Sequence, residues 1–330
     1  MPSLLEEVSD YENLYRAFTR CARGKRKTSG YAKALHNLGE NLTRISRTLQ
    51  ADEYDWGGYR EFYVTDPKRR LVMSAPFLDR VVHHAIHAIV EPYIEPTLHQ
   101  GLYSCRKGRG NRHAALAVLS TLRKIGESRY VVKLDVEGYY ESIHHETLFR
   151  KVTKLLPDRS LDKLLWTLIT NQTQYRKRGC GIPIGNLTSQ LFANLYLSSA
   201  DRLAESLLPD GHVYRYMDDI VLIAKSKDLA MHCAWEIVEH VKQDLHLRIP
   251  HTKLMPIGRA PVPFLGYVLD HTGFRILARN GRRIHKKVKR LQKRKVAPSE
   301  LLKVWQSFDA WQRLEVSAPL LNLGRSQEPF

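Results

Sequence analysis

Two adjacent acids at a tight bend between apolar strands constrain this chain more than any other stretch. In His212-Val-Tyr-Arg-Tyr-Met-Asp-Asp-Ile-Val-Leu-Ile-Ala224, β-rich runs at 213–217 and 220–224 flank Asp218 and Asp219. The pattern predicts a hairpin with both acids at its tip, although such turns usually use Asn-Gly or Asp-Gly. Two carboxylates roughly 4 Å apart repel by about 4 kcal/mol at an effective dielectric of 20. A divalent cation relieves that repulsion by taking carboxylate oxygens; an acidic surface turn is the plainer reading. A third acid, Asp135, closes the run Tyr130-Val-Val-Lys-Leu134. Alternation there sets Tyr130, Val132 and Leu134 on one face and Val131, Lys133 and Asp135 on the other. Alone, Asp135 reads equally as a helix cap or turn acid. Laid beside the hairpin, it completes three carboxylates able to hold two metal ions for in-line phosphoryl transfer.

A length of 330 residues suggests two or three subdomains around a large shared core. The 52 Lys and Arg against 34 Asp and Glu leave a net charge of +18, which favours a polyanionic partner, nucleic acid before membrane. Cys21, Cys105, Cys180 and Cys233 form no Cys-x-x-Cys pair, so neither a zinc cluster nor a disulfide framework is expected. Free thiols fit a reducing cytosol. The start lacks a basic, apolar leader and no segment is apolar enough to span a bilayer, so a soluble intracellular protein is expected.

Ser3-x-x-Glu6 is a capping-box pattern, and Leu4, Val8, Tyr11, Tyr15 and Phe18 follow at helical spacing. Tyr31, Leu35, Leu38, Leu42, Ile45 and Leu49 predict a second amphipathic helix. Between them, Lys25, Arg26 and Lys27 lie in a loop that is either a solvated connector or a nucleic-acid contact. Arg60-Glu-Phe-Tyr-Val-Thr65 alternates like a strand that Pro67 ends, and Leu71-Val-Met73 pairs with it. Lys68, Arg69 and Arg70 at the bend offer donors to a triphosphate, or guard an edge strand. Residues 77–90 read as a helix. Its His83 and His87 have metal-ligand spacing without a zincin Glu and read as ordinary helix histidines. Cys105-Arg-Lys-Gly-Arg-Gly-Asn-Arg-His113 opens an alanine-rich helix whose start suits phosphate.

Helices are expected near 145–155 and 161–170, one long helix from 190 to about 207, and another through Leu229, Cys233, Ile237, Val241 and Leu245. Phe264-Leu-Gly-Tyr-Val-Leu269 turns at His271-Thr-Gly273 into Phe274-Arg-Ile-Leu277. From Arg275 to Lys295 every charged residue is basic, with Ile284, Val288 and Leu291 interspersed, which reads as a helix laid on phosphates. Helical spacing resumes from Leu301 to Trp311.

These pieces stand in the order found in reverse transcriptases, and the resemblance covers nearly the whole chain. The Tyr-Met-Asp-Asp hairpin resembles that family's central palm motif; Leu134-Asp135 with Tyr139, Tyr140 and Ile143 resembles the preceding strand and turn. The resemblance implies an α+β, right-hand polymerase fold. Residues 1–60 would form an N-terminal helical extension, 61–130 and 145–185 fingers, 131–144 and 186–262 an antiparallel palm, and 263–330 a primer grip and short basic helical thumb. It makes Asp135, Asp218 and Asp219 ligands of two Mg²⁺ ions, with Mn²⁺ an alternative and the Val136 carbonyl a further contact. Lys68, Arg70, Arg106, Ile184, Gly185, Gln190 and Lys253 would meet the incoming dNTP, and Tyr139 would exclude a ribose 2′-hydroxyl. Phe264, Leu265, Gly266 and Tyr267 resemble the primer grip. Arg282, Arg283, Lys286, Lys287, Arg290 and Lys293 would line nucleic acid.

Ile184-Gly-Asn-Leu-Thr-Ser-Gln190 stands where group II intron and retroviral enzymes usually show Gln-Gly-x-x-x-Ser-Pro. That departure resembles the reverse transcriptases of diversity-generating retroelements. These copy a template RNA with errors at adenines beside a small basic accessory protein that forms a pentameric ring. An antiphage-defence or group II intron-like enzyme with its own structured noncoding RNA is a second reading, and an idle nucleic-acid scaffold a third. Under the first two, the partners are template RNA, the RNA–DNA heteroduplex and dNTPs, in the cytoplasm of a bacterial, phage-infected or archaeal host.

Overall fold

The computed structural model describes residues 2–65, 69–125, 129–171, 178–294 and 296–312. Lys68, Pro67, residues 172–177 of the basic link, Lys295 and the tail from 313 lie outside them. The chain opens with α1 (Leu4–Ser9), α2 (Tyr11–Ala22), α3 (Ser29–His36) and α4 (Leu38–Gln50). The capping box forms between Ser3 and Glu6. Each of the two helices expected here is divided. Asp10 ends α1 and caps α2, its carboxylate accepting from the Asn13 amide at 3.0 Å, and Asn37 separates α3 from α4.

β1 (Arg60–Val64) and β2 (Arg70–Ser74) pair as an antiparallel hairpin with Phe62 opposite Val72. α5 (Phe77–Ile94), α6 (Asn111–Ile125), β3 (Tyr130–Asp135), α7 (Tyr139–Ser142), α8 (His145–Thr153) and α9 (Asp162–Thr170) follow. The long helix expected to reach residue 207 breaks at Leu197 into α10 (Leu187–Tyr196) and α11 (Ser198–Leu207). Then come β4 (His212–Tyr216), β5 (Asp219–Ala224), α12 (Lys227–Gln243) and β6 (Thr252–Pro256). β7 (Val262–Phe264), β8 (Tyr267–Leu269), β9 (Phe274–Ile276), α13 (Ala278–Lys293) and α14 (Pro298–Gln312) complete the order.

The central sheet has the order β4-β5-β3-β6 and is antiparallel throughout. Both of its faces are covered, so β5 is apolar at every position after Asp219 rather than alternating. Val132, Leu134, Ile220 and Leu222 join the larger core with α5, α10 and α12. Val131, Val221 and Ile223 join a second core with α6 and the β7–β9 sheet. His83 is buried in the larger core with Nδ1 2.8 Å from the Thr188 hydroxyl, and burial holds it down at about 3, a neutral helix histidine.

The run expected as one strand from Phe264 to Leu269 is two. Leu265 and Gly266 have φ of +49° and +90°, so the chain reverses between paired Phe264 and Tyr267. No helix among the described residues is long and apolar enough to cross a membrane.

Candidate active site

Antiparallel register sets Asp135 opposite Asp219 at the ends of β3 and β5. Asp218 stands in the turn just before, and the Val136 amide donates to its carbonyl at 3.2 Å. The three acids and Val136 are thus brought together by strand pairing. One detail differs from expectation: the turn is made by Met217 and Asp218, while Asp219 already belongs to β5, opposite Tyr216.

Met217 carries φ +56° at the first central position, where a type II′ turn usually places glycine. Such a conformation costs on the order of 1–3 kcal/mol unless its surroundings enforce it. Here they do. The Met217 amide donates to Ser104 Oγ at 3.0 Å, its carbonyl accepts from Arg215 Nη1 at 3.0 Å, and its sulfur lies 3.6 Å from the Tyr140 hydroxyl. Arg215 is fully buried and bidentate on Asp201, with both contacts at 2.6 Å, and Nη2 donates to the Asn194 carbonyl at 2.9 Å. Asn194 in turn accepts from Ser104 Oγ at 2.8 Å. Sequence reasoning gave Ser104, Asn194, Asp201 and Arg215 no role; the signal was an arginine inside the otherwise apolar and aromatic strand 213–217.

Lys133 bridges two elements. Its ammonium lies 2.9 Å from Asp219 Oδ2 and donates to the Pro263 carbonyl at 3.0 Å. Burial pushes the Asp219 carboxyl up to about 6, against the lowering pull of Lys133 and with Asp135 and Asp218 adding to the rise. Asp219 Oδ1 is buried with no hydrogen-bond partner. Among the described residues no three His, Cys, Asp or Glu side chains form a ready metal cage. The donor set nonetheless suits a hard divalent ion: three adjacent acids, one oxygen without a partner, and a carboxylate that its surroundings disfavour as an anion.

The nucleotide-contact residues divide. Arg70 is exposed at the start of β2, and Lys253 is exposed on β6 opposite Lys133. The 184–185 segment lies along β2: the Met73 amide donates to the Ile184 carbonyl at 3.0 Å, while the Ile184 and Gln190 side chains are half-buried. Arg106 does not fit its assignment. Its side chain is 6 % exposed, ion-paired with Glu95 at 2.7 Å and bonded to the His99 and Leu102 carbonyls, so its donors are committed inside the protein. Tyr139 is likewise corrected: it is buried, with its hydroxyl on the Ala193 carbonyl, and cannot border a ribose. Its neighbour Tyr140 is half-buried and touches the Met217 turn.

Gly185 has φ +132°, and a Cβ there would stand 2.6 Å from the Met73 carbonyl oxygen. Gly185→Ala is therefore expected to destabilise by about 1–3 kcal/mol and to loosen the segment from β2. Thermal melting checks this, and a wild-type melting temperature would refute it.

In the predicted primer grip, Phe264 and Tyr267 are buried, and Leu265 and Gly266 are half-buried at the bend between them. The Gly266 carbonyl accepts from the Leu277 amide at 2.9 Å and from Asn280 Nδ2 at 3.1 Å, which fastens α13 to that hairpin. Arg282, Lys286, Lys287, Arg290 and Lys293 are exposed on α13, Arg283 is half-buried, and Val288 turns inward. Arg26 and Lys27 are exposed between α2 and α3, with Lys25 half-buried.

Residues 65–269 match the family Reverse transcriptase (RNA-dependent DNA polymerase). The chain belongs to the reverse transcriptase family. It is 25% identical over 236 residues to the group II intron-encoded protein LtrA of Lactococcus lactis, covering 62% of this chain and 39% of that one. It is 30% identical over 173 residues to protein YkfC of Escherichia coli K12, 50% of this chain and 45% of that one. The chain thus spans less than half the length of these curated relatives. Among solved structures, telomerase from Candida tropicalis in complex with a TWJ fragment of telomeric RNA superposes with a TM-score of 0.51 at 11% identity, covering 78% of this chain and 54% of that one. The apo form of that telomerase gives 0.50 over 67% and 48%. With its antiparallel sheet flanked by helices, this member of the family has the right-hand polymerase fold.

Proposed function

We propose that the chain is an RNA-directed DNA polymerase that builds cDNA on a template RNA. The observation that carries this reading is the register that opposes Asp135 to Asp219 with Asp218 beside them. Asp135, Asp218 and Asp219 would hold two Mg²⁺ ions, which supply charge neutralisation at the phosphates and activation of the primer hydroxyl. The remaining work belongs to the chain itself. Arg70 offers a guanidinium to the triphosphate, and the ring of Tyr140, rather than Tyr139, stands at the turn to border the sugar. The Leu265–Gly266 backbone and α13 grip the duplex through its phosphates. Incorporation of dNTPs on a primed RNA, with Asp218→Asn as control, tests the reading. No incorporation by the native protein with candidate RNAs and partners would favour an idle scaffold.

The finer assignment is to a diversity-generating retroelement, with an accessory protein ring or a structured RNA as partner beside the basic helix α13. Ile184 supports it, because an apolar side chain fixed along β2 cannot hydrogen-bond sugar or template. Ile184→Gln is expected to lower misincorporation opposite template adenines several-fold in primer-extension sequencing; an unchanged error spectrum would remove the support.

A further inference from the structure

On another flank, α8, α11 and α12 gather side chains to which templated synthesis gives no task. α12 packs on the sheet face that receives Val132 and Leu134, whereas Lys133 and Asp135 alternate to the opposite face. Ser199, the second residue of α11, is the hub. Its Oγ lies 3.1 Å from Lys151 Nζ and 2.9 Å from His240 Nε2, while His240 Nδ1 is 2.7 Å from Asp244 Oδ2. Arg202 places Nη1 3.4 Å from Ser198 Oγ and 3.5 Å from the Thr97 carbonyl, with Nη2 and Nε left to a ligand, and Lys154 is the C-cap of α8. Among the described residues no carboxylate pairs with Lys151 or Arg202, and Asp244 is engaged with His240. Burial and the neighbouring Arg202 and Lys154 hold the Lys151 ammonium down at about 8, although Asp244 opposes them.

The Asp–His–Ser order has hydrolase spacing, but acyl transfer also needs amide donors for an oxyanion. The Ala200 and Asp201 amides instead donate to the Leu197 carbonyl. What remains is two cationic side chains, Lys151 and Arg202, converging on the neighbouring hydroxyls of Ser199 and Ser198, donors that suit a phosphate group.

We infer that Lys151, Ser199 and Arg202, with Lys154 and His240 at the rim, bind a phosphate group away from the nucleotide-joining acids. The phosphate is either free or part of an RNA backbone folded along this flank. The site does not depend on the templated-synthesis reading.

The full chain is compared with its Lys151→Met, Arg202→Met and Ser199→Ala variants, and with Asp218→Asn, which alters only the acids. Millimolar inorganic phosphate should raise the melting temperature of the wild type and of Asp218→Asn, and should raise that of the other three much less. If backbone phosphate is the ligand, binding of a structured RNA should weaken several-fold in Lys151→Met and Arg202→Met. Its log–log salt slope should then shrink by roughly 0.7–0.9 for each phosphate that is no longer neutralised. A free-phosphate site leaves that slope unchanged but keeps the melting difference. Equal phosphate stabilisation in all variants with an unchanged RNA slope would overturn the inference. So would a Ser199→Ala response equal to wild type, because diffuse charge needs no hydroxyl.

Discussion

Asp219→Asn should raise the melting temperature near neutral pH while removing nucleotide incorporation. Its carboxyl sits at about 6 in the folded chain, against about 4 for an unfolded aspartate. A folded value above the unfolded one means that this group's favourable contribution is complete below about pH 4. It is lost as pH rises through about 6. At pH 7.5 the charged side chain therefore costs stability, on the order of 2–3 kcal/mol, and the neutral amide does not. Calorimetry should show the variant melting above wild type at pH 7.5, with the gap closing toward pH 4. Millimolar Mg²⁺ should stabilise wild type by mass action and leave the variant unmoved. Incorporation on primed RNA should fall by about three orders of magnitude, the scale of removing a principal electrostatic group. A variant that melts below wild type at pH 7.5 would contradict the account of Asp219 as a strained anion awaiting a cation.

Arg215→Met should cost both fold and activity, and a second substitution should separate the two. Methionine leaves Asp201, 1 % exposed, as a buried charge without its partner. Breaking such a pair costs about 3–5 kcal/mol, or roughly 10 °C in a chain of this size. It also removes the donor on the Met217 carbonyl that helps hold the positive φ of the turn. Arg215→Met with Asp201→Leu removes both charges together, a change that is often neutral. The double variant should regain most of the lost melting temperature but stay about 10- to 100-fold below wild type in kcat, because the turn has still lost a support. Recovery of activity in step with stability would show that Arg215 serves the fold alone.

The hairpin, its acids and the alternation of β3 were legible because each follows from a local pattern: β-rich runs around a bend and a strict period of two. The convergence of Asp135 on Asp219 was legible only as a supposition, since strand register is a tertiary fact. Tyr139 and Tyr140 illustrate what a sequence withholds. They are neighbours of the same type on a short helix, and only the packing of α10 decides which ring is enclosed. Arg106 sits in a glycine- and arginine-rich stretch that reads as phosphate-binding, but Glu95, eleven residues earlier, claims its charge once the chain after α5 folds back. The helix divisions at Asp10 and Asn37 were within reach, because both residues favour caps over helix interiors. The break at Leu197 has a weaker signal, the serine pair Ser198-Ser199 that follows it. Apolar spacing through residues 187–207 continues across it, which is why the sequence predicts a single helix.

Lys133 touches Asp219 and the backbone of β7 with one ammonium. A shift of that strand as the duplex advances would draw the positive charge toward or away from Asp219. On the proposed function, hold on the product and readiness for the next addition would then share this one ammonium.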